Sequence, residues 1–116
     1  MGTWVLPMIY FANYQFSEPE SLAKWNTEEK NGIYVLLIKD PIEKSKPYKA
    51  IFFGESNDLS DPGFLRSHQR FDCWIQEAGS EADLHIATFP MPNSTPGLRQ
   101  SVVTFLVKYY HPVCNT

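Results

Sequence analysis

The chain has 116 residues, a length that one hydrophobic core usually serves, so we expect a single domain spanning residues 1–116. Hydrophobic residues make up 43% and charged residues 20%, which excludes a disordered chain, and no apolar run approaches the roughly 20 residues of a membrane-spanning helix. The net charge of −3 is unevenly spread, because residues 51–90 carry two basic and seven acidic side chains, which excludes a basic surface for nucleic acid there.

The first half of the chain predicts one short helix and two strands. Residues 17–20, Ser-Glu-Pro-Glu, form a capping box with a proline in the first turn, so we expect a short helix through residues 22–25. Residues 33–38 are apolar and rich in β-branched side chains, which predicts a buried strand. Residues 48–54 predict a second strand that pairs with the first as a hairpin. Residues 1–31 then form a leader that contains the short helix.

The second half predicts a helix, a third strand and a final helix. Residues 64–78 favour a helix that Gly79 ends. Residues 84–89 alternate between apolar and polar side chains, which predicts a strand, and residues 98–110 carry an apolar stripe at helical spacing that ends before Pro112. The order β-β-α-β-α predicts an α+β fold, an α/β sandwich in which a small, mostly antiparallel three-stranded sheet is flanked by helices.

Three short segments lie at the ends of these predicted elements. Gly32-Ile33-Tyr34 opens the first strand, Phe52-Phe53-Gly54 closes the second, and Pro112-Val113-Cys114-Asn115 follows the last helix. In this order, with a histidine-containing helix between them, the segments resemble the GIY-YIG nuclease family. The resemblance covers residues 32–115, which form the core that carries the motifs. It implies hydrolysis of a phosphodiester assisted by one divalent metal ion.

The resemblance assigns catalytic roles to three residues of this chain and implies an arginine as a fourth. It implies that Tyr34 acts on the attacking water, that His68 and an arginine stabilise the phosphate, and that Asn115 braces the site. The family's arginine falls at Pro62, which carries no charge. Arg66, one helical turn later, is therefore the candidate for the phosphate contact, although it does not stand at the family position.

At two other family positions, the side chains of this chain lack the functional group that the family's reaction needs. Phe52 stands where the family has a second tyrosine, and Val103 stands where it has the metal-binding glutamate. No Asp or Glu follows Asp83, so a shift of register does not restore the metal ligand. The loss of the metal and of the arginine removes the electrostatic stabilisation of the transition state. The resemblance thus implies an impaired domain, without a cofactor, that acts by binding a nucleic acid or a protein partner.

Two other interpretations stay open. One is an active endonuclease that hydrolyses DNA with Mg²⁺ or another divalent cation in a rearranged site, in which Glu55 joins Tyr34, Arg66 and His68. The other is a stand-alone domain with no link to nucleic acid, which the acidic residues 51–90 favour.

Three lysines are the candidates for binding nucleic acid. Lys44, Lys46 and Lys49 make the predicted hairpin modestly basic, although a solvated hairpin tip explains them as well. Because few phosphates can be neutralised by so few cations, we expect binding to DNA to be weak.

The N-terminus and the cysteines bear on the compartment. The first seven residues lack the basic region and apolar stretch of a signal peptide. Cys73 and Cys114 are too few and too far apart for a disulfide scaffold or a closed zinc site. We therefore expect a cytoplasmic protein with two free thiols and no membrane association.

Overall fold

The structure, a computed structural model, describes residues 8–40, 47–61 and 63–115. It is an α+β domain with two antiparallel sheets and two α-helices. The smaller sheet is a hairpin of β1 (Ile9–Phe11) and β2 (Tyr14–Phe16). The strands of the larger sheet are β3 (Glu20–Ser21), β4 (Gly32–Lys39), β5 (Tyr48–Ser56) and β6 (His85–Pro90). Their spatial order is β3-β6-β4-β5, so β4 is central and β5 lies at an edge.

Both α-helices end at a residue in the left-handed backbone conformation, and α2 also has a side-chain cap at its start. Gly79, with φ of 90°, ends α1 (Phe71–Ala78), and its N–H donates to the carbonyl of Ile75. Thr95 caps the first turn of α2 (Pro96–Tyr110) by accepting a hydrogen bond from the N–H of Leu98. Short 3₁₀ turns, Glu81–Asp83 and Val113–Asn115, follow the helices.

The larger sheet separates two hydrophobic clusters, because successive side chains of a strand point to opposite faces. Tyr34 and Leu36 of β4 lie on the face that α1 covers, together with Trp74 of that helix. Val35 lies on the opposite face, where it packs in the cluster that includes Val103 of α2. The predicted sandwich of a sheet between helices is therefore present.

The expectation of three strands is wrong, and so is the expected leader helix. Glu20–Ser21 forms a fourth strand that pairs with β6, and residues 22–24 form a turn. Ser17, expected to cap a helix, instead accepts a hydrogen bond from the N–H of Thr88 on β6. A helix of one turn gains little from its own hydrogen bonds, so pairing with the sheet edge prevails.

The predicted helix over residues 64–78 begins later than expected. Residues 63–70 form successive turns, apart from an irregular step at His68, and the helix starts at Phe71. The imidazole Nδ1 of His68 accepts a hydrogen bond from the N–H of Arg70 at 2.9 Å, which gives that N–H a partner outside a helix. The local side chain thus competes with helical hydrogen bonding.

The expectation of two free thiols is also wrong. Cys73 of α1 and Cys114 of the last 3₁₀ turn form a disulfide, with their Cα atoms 5.9 Å apart. The bond connects positions 41 residues apart because the chain after α2 returns to the α1 side of the sheet.

In the described residues, no helix is long and apolar enough to cross a membrane.

Candidate functional site

Tyr34 is the residue at the centre of the candidate site. It faces Gly54 in the β4–β5 pairing, and its ring lies 5.3 Å from the ring of Phe64 and 6.0 Å from that of Phe52, between centroids. Only 1% of Tyr34 is exposed. The phenol is therefore a member of the core rather than a group that meets bulk water.

Gly54 is required by the position of this ring. A Cβ atom added at Gly54 would lie 2.5 Å from Cζ of Tyr34 and 2.8 Å from Cε2 of Phe52. Such distances are shorter than real carbon contacts, so a side chain here displaces the buried ring. The glycine of the second tripeptide is thus explained by packing alone.

We expect Gly54→Ala to lower the free energy of unfolding by about 2 kcal/mol, because overpacking forces Tyr34 out of its position. Urea denaturation followed by tryptophan fluorescence measures the change. Gly97→Ala is the matched control, since a Cβ there meets no atom within 4 Å and alanine favours the helix, so this variant should be at least as stable as the unmodified chain. If Gly54→Ala and Gly97→Ala unfold at the same urea concentration, the argument from packing is wrong.

Burial also keeps the Tyr34 phenol neutral. Desolvation raises the pKa of Tyr34 far above its ordinary value, and the negative charge of Glu55 raises it further. A phenol with a raised pKa is a poor general base at neutral pH. The role that the resemblance implies for Tyr34 therefore has no support from its surroundings.

His68 lies beside Phe52 in an aromatic cluster. Its ring centroid is 5.1 Å from that of Phe52 and 4.9 Å from that of Trp74. Burial lowers the pKa of His68, and the positive charge of Arg70 lowers it further. A neutral imidazole supplies no positive charge to a phosphate.

Arg66 and Glu55, the charged members of the rearranged site, are paired elsewhere. Arg66 Nη2 lies 2.5 Å from Oε2 of Glu81 at the surface. Glu55 Oε1 accepts a hydrogen bond from Nε of Arg99 at 2.8 Å. The structure therefore holds these two residues in separate ion pairs rather than in one site.

Asn115 lies at the outer edge of β5. Its Oδ1 accepts from the N–H of Phe53, and its Nδ2 donates to the carbonyl of the same residue, both at 2.9 Å. Phe53 precedes Gly54, the register partner of Tyr34, so Asn115 and Tyr34 do approach neighbouring residues of one strand. The amide braces the strand edge, while Tyr34 lies on the sheet face.

Arg99 is a buried charged residue that the sequence did not indicate as a candidate for the site. Its guanidinium is fully buried and donates from Nη1 to the carbonyl and hydroxyl of Ser94 at 2.7 and 2.9 Å, and from Nη2 to Asn57. The spacing of Arg99 with Val103 and Leu106 is the signal, since it places the arginine on the buried face of α2. The network connects α2 to the end of β5.

The position implied for the metal ligand does not fit a divalent cation. Val103 is buried in the cluster on the opposite face of the sheet from Tyr34, and its side chain has no donor atom. Within residues 8–40, 47–61 and 63–115, no group of three His, Cys, Asp or Glu side chains is placed to hold a metal.

Comparison of the chain with known protein families, curated proteins and solved structures finds no match. The resemblance to GIY-YIG nucleases therefore depends on the segments and the element order of this chain, and it stays a prediction.

One of the three candidate lysines can be placed. Lys49 is exposed on β5. Lys44 and Lys46 lie outside the described residues, as does Pro62, the position implied for the family's arginine.

Proposed function

We propose that this chain is a GIY-YIG nuclease-like domain that hydrolyses no phosphodiester and acts by binding a protein partner. The order β4-β5-α1-β6-α2 from Gly32 onward supports the resemblance in fold. Tyr34 is the third residue of the central strand, and Asn115 binds the neighbouring strand at the level of the second tripeptide.

The burial of Tyr34 is the main support for the proposed loss of hydrolytic activity. In the resemblance, this phenol acts on water, yet here it is 1% exposed and surrounded by Phe52 and Phe64. Among the described residues, Arg66 is paired with Glu81, and Val103, on the opposite face of the sheet, has no donor atom for a metal, so neither residue stabilises charge that develops beside Tyr34. Binding is the function that such a domain retains.

Charge favours a protein over a nucleic acid as the partner. Residues 51–90 have a net charge of −5, and two of the arginines of the chain, Arg66 and Arg99, are neutralised by Glu81 and Glu55. Besides Arg66, the one basic side chain within residues 51–90 is Arg70, so this segment offers few cations to phosphates, whereas its acidic side chains suit a partner with basic ones. The cytoplasmic location stays a prediction, and the Cys73–Cys114 disulfide favours an oxidising compartment instead.

A cleavage assay tests the proposal. We expect no nicking of supercoiled DNA and no cleavage of single-stranded DNA or RNA by the unmodified chain in Mg²⁺ or Mn²⁺, because the described residues around Tyr34 assemble neither a group that activates water nor a cation that binds phosphate. Gel electrophoresis of the products measures this. Robust Mg²⁺-dependent cleavage that Tyr34→Phe or His68→Ala abolishes would overturn it and favour the active endonuclease.

A binding assay tests the choice of partner. Fluorescence anisotropy with labelled duplex and single-stranded DNA at physiological salt should give a dissociation constant of about 10⁻⁴ M or weaker, the range of non-specific binding. Lys49→Gln should change it little. A nanomolar dissociation constant would contradict the proposal and show that the partner is a nucleic acid rather than a protein.

A further inference from the structure

Helix α2 has a second apolar face, which the described part of the chain leaves uncovered. Leu98, Phe105 and Tyr109 are 52%, 48% and 64% exposed, and Val102 between them is partly exposed. The spacing 98–102–105–109 follows the helical repeat, so these four residues form one stripe, here called the α2 stripe. The core-facing residues Val103 and Leu106 lie on a different side of the helix.

The aromatic part of the α2 stripe is held in place before any partner binds. The rings of Phe105 and Tyr109 stack with an interplanar angle of 6° and centroids 6.0 Å apart. On the other side, the ring of Tyr14 from the β1–β2 hairpin lies 6.5 Å from that of Phe105. Rigid aromatic side chains lose little conformational entropy on association, which favours this surface as a contact.

The α2 stripe is also electrically neutral. No Asp or Glu occurs after Asp83, Arg99 is buried in its ion pair, and Lys108 is the exposed cation of the helix, one position off the stripe. A two-fold contact places a surface against its own copy, so a surface whose charges all have one sign repels itself there. Residues 51–90, with their net charge of −5, would repel a second copy, whereas the stripe does not.

We propose that two copies of this chain associate through the α2 stripe, with the two helices antiparallel about a two-fold axis. The stripe is symmetric about its middle, between residues 103 and 104. An antiparallel pair therefore places Leu98 opposite Tyr109 of the second copy and Val102 opposite Phe105, so that each aliphatic side chain meets an aromatic ring. This association goes beyond the proposed function and does not depend on it.

The size of the α2 stripe sets the expected strength. An aromatic or leucine side chain that is half exposed offers roughly 100 Å², so the stripe and its polar rim bury about 500 Å² per copy. A total of about 1,000 Å² is at the lower limit of specific interfaces, the size class of weak and transient complexes, so we expect weak association, with a dissociation constant on the order of 10⁻⁵ M. We expect a monomer at low micromolar concentration and a dimer at several hundred micromolar.

Sedimentation velocity of the full chain over this concentration range tests the proposal. Leu98→Glu and Tyr109→Lys should each weaken the dimer at least about tenfold, because a charge is buried against apolar side chains. The double variant Leu98→Glu with Tyr109→Lys should recover most of the affinity, since the two substituted side chains then face each other across the axis. Tyr10→Glu is the matched control, because Tyr10 is 61% exposed on the hairpin but lies outside the stripe, and it should leave the dimer unchanged.

Each other outcome overturns the proposal. A monomer at every concentration shows that the α2 stripe does not pair with a second copy. A dimer that survives Leu98→Glu and Tyr109→Lys uses another surface. Two weakened single variants without recovery in the double variant exclude the antiparallel arrangement. Thermal unfolding followed by circular dichroism confirms that the variants, all at exposed positions, are folded.

Discussion

Replacing both Cys73 and Cys114 by serine should lower the free energy of unfolding by about 4 kcal/mol. The disulfide closes a loop between positions 41 residues apart, and opening it restores the conformational entropy of that loop to the unfolded chain. For a domain of this size, the loss corresponds to a fall in melting temperature of about 15 °C. Urea denaturation of the oxidised chain, the reduced chain and the double variant measures the effect.

The single variant Cys114→Ser is the control for the disulfide, because it breaks the same bond and should match the double variant closely. In the unmodified chain, denatured without a reducing agent, titration should detect no free thiol. If the reduced chain and the oxidised chain unfold at the same urea concentration, the bond contributes nothing to stability and the prediction is wrong.

Arg99→Met should lower the free energy of unfolding by about 3 kcal/mol. Arg99 is fully buried, and its removal leaves the Glu55 carboxylate, 26% exposed, without its cation, and Asn57 without its donor. Breaking a buried ion pair by removing one partner costs about 3–5 kcal/mol, and the partial exposure of Glu55 places this pair at the lower end. Urea denaturation measures the change.

Two further variants separate the ion pair from the packing of the arginine. The double variant Arg99→Met with Glu55→Met should recover part of the loss, because no unpaired charge then remains. Arg66→Met removes a cation from the exposed pair with Glu81 and should cost less than about 1 kcal/mol. A loss for Arg99→Met as small as that for Arg66→Met would show that the buried network does not stabilise the fold.

The elements that sequence predicts well in this chain are those with local signals. Strand β4 is a continuous apolar run after Gly32, and α2 carries an apolar stripe at helical spacing that ends before Pro112. These patterns depend on neighbours in sequence, so their positions were predicted within two residues. The hairpin of β4 with β5 and the place of β6 in the same sheet, both predicted, are confirmed.

The elements that sequence did not predict depend on distant residues. Strand β3 exists because Glu20–Ser21 meets β6, more than 60 positions away, and the β1–β2 hairpin because Phe11 and Phe16 pack against Phe53. The same limit applies to the candidate site. The contact of His68 with Phe52 and the pairing of Glu55 with Arg99 each join two elements whose proximity the sequence does not indicate.

The amide of Asn115 has a consequence for the solubility of the folded chain. Strand β5 is an edge strand with the apolar run Ile51-Phe52-Phe53, and such an edge templates the addition of further strands and, with them, aggregation. Asn115 occupies both outward backbone groups of Phe53, in the manner of a neighbouring strand that is one residue long. The disulfide of Cys114 holds the next residue, Asn115, in place against β5. The covalent bond therefore protects the sheet edge as well as the core.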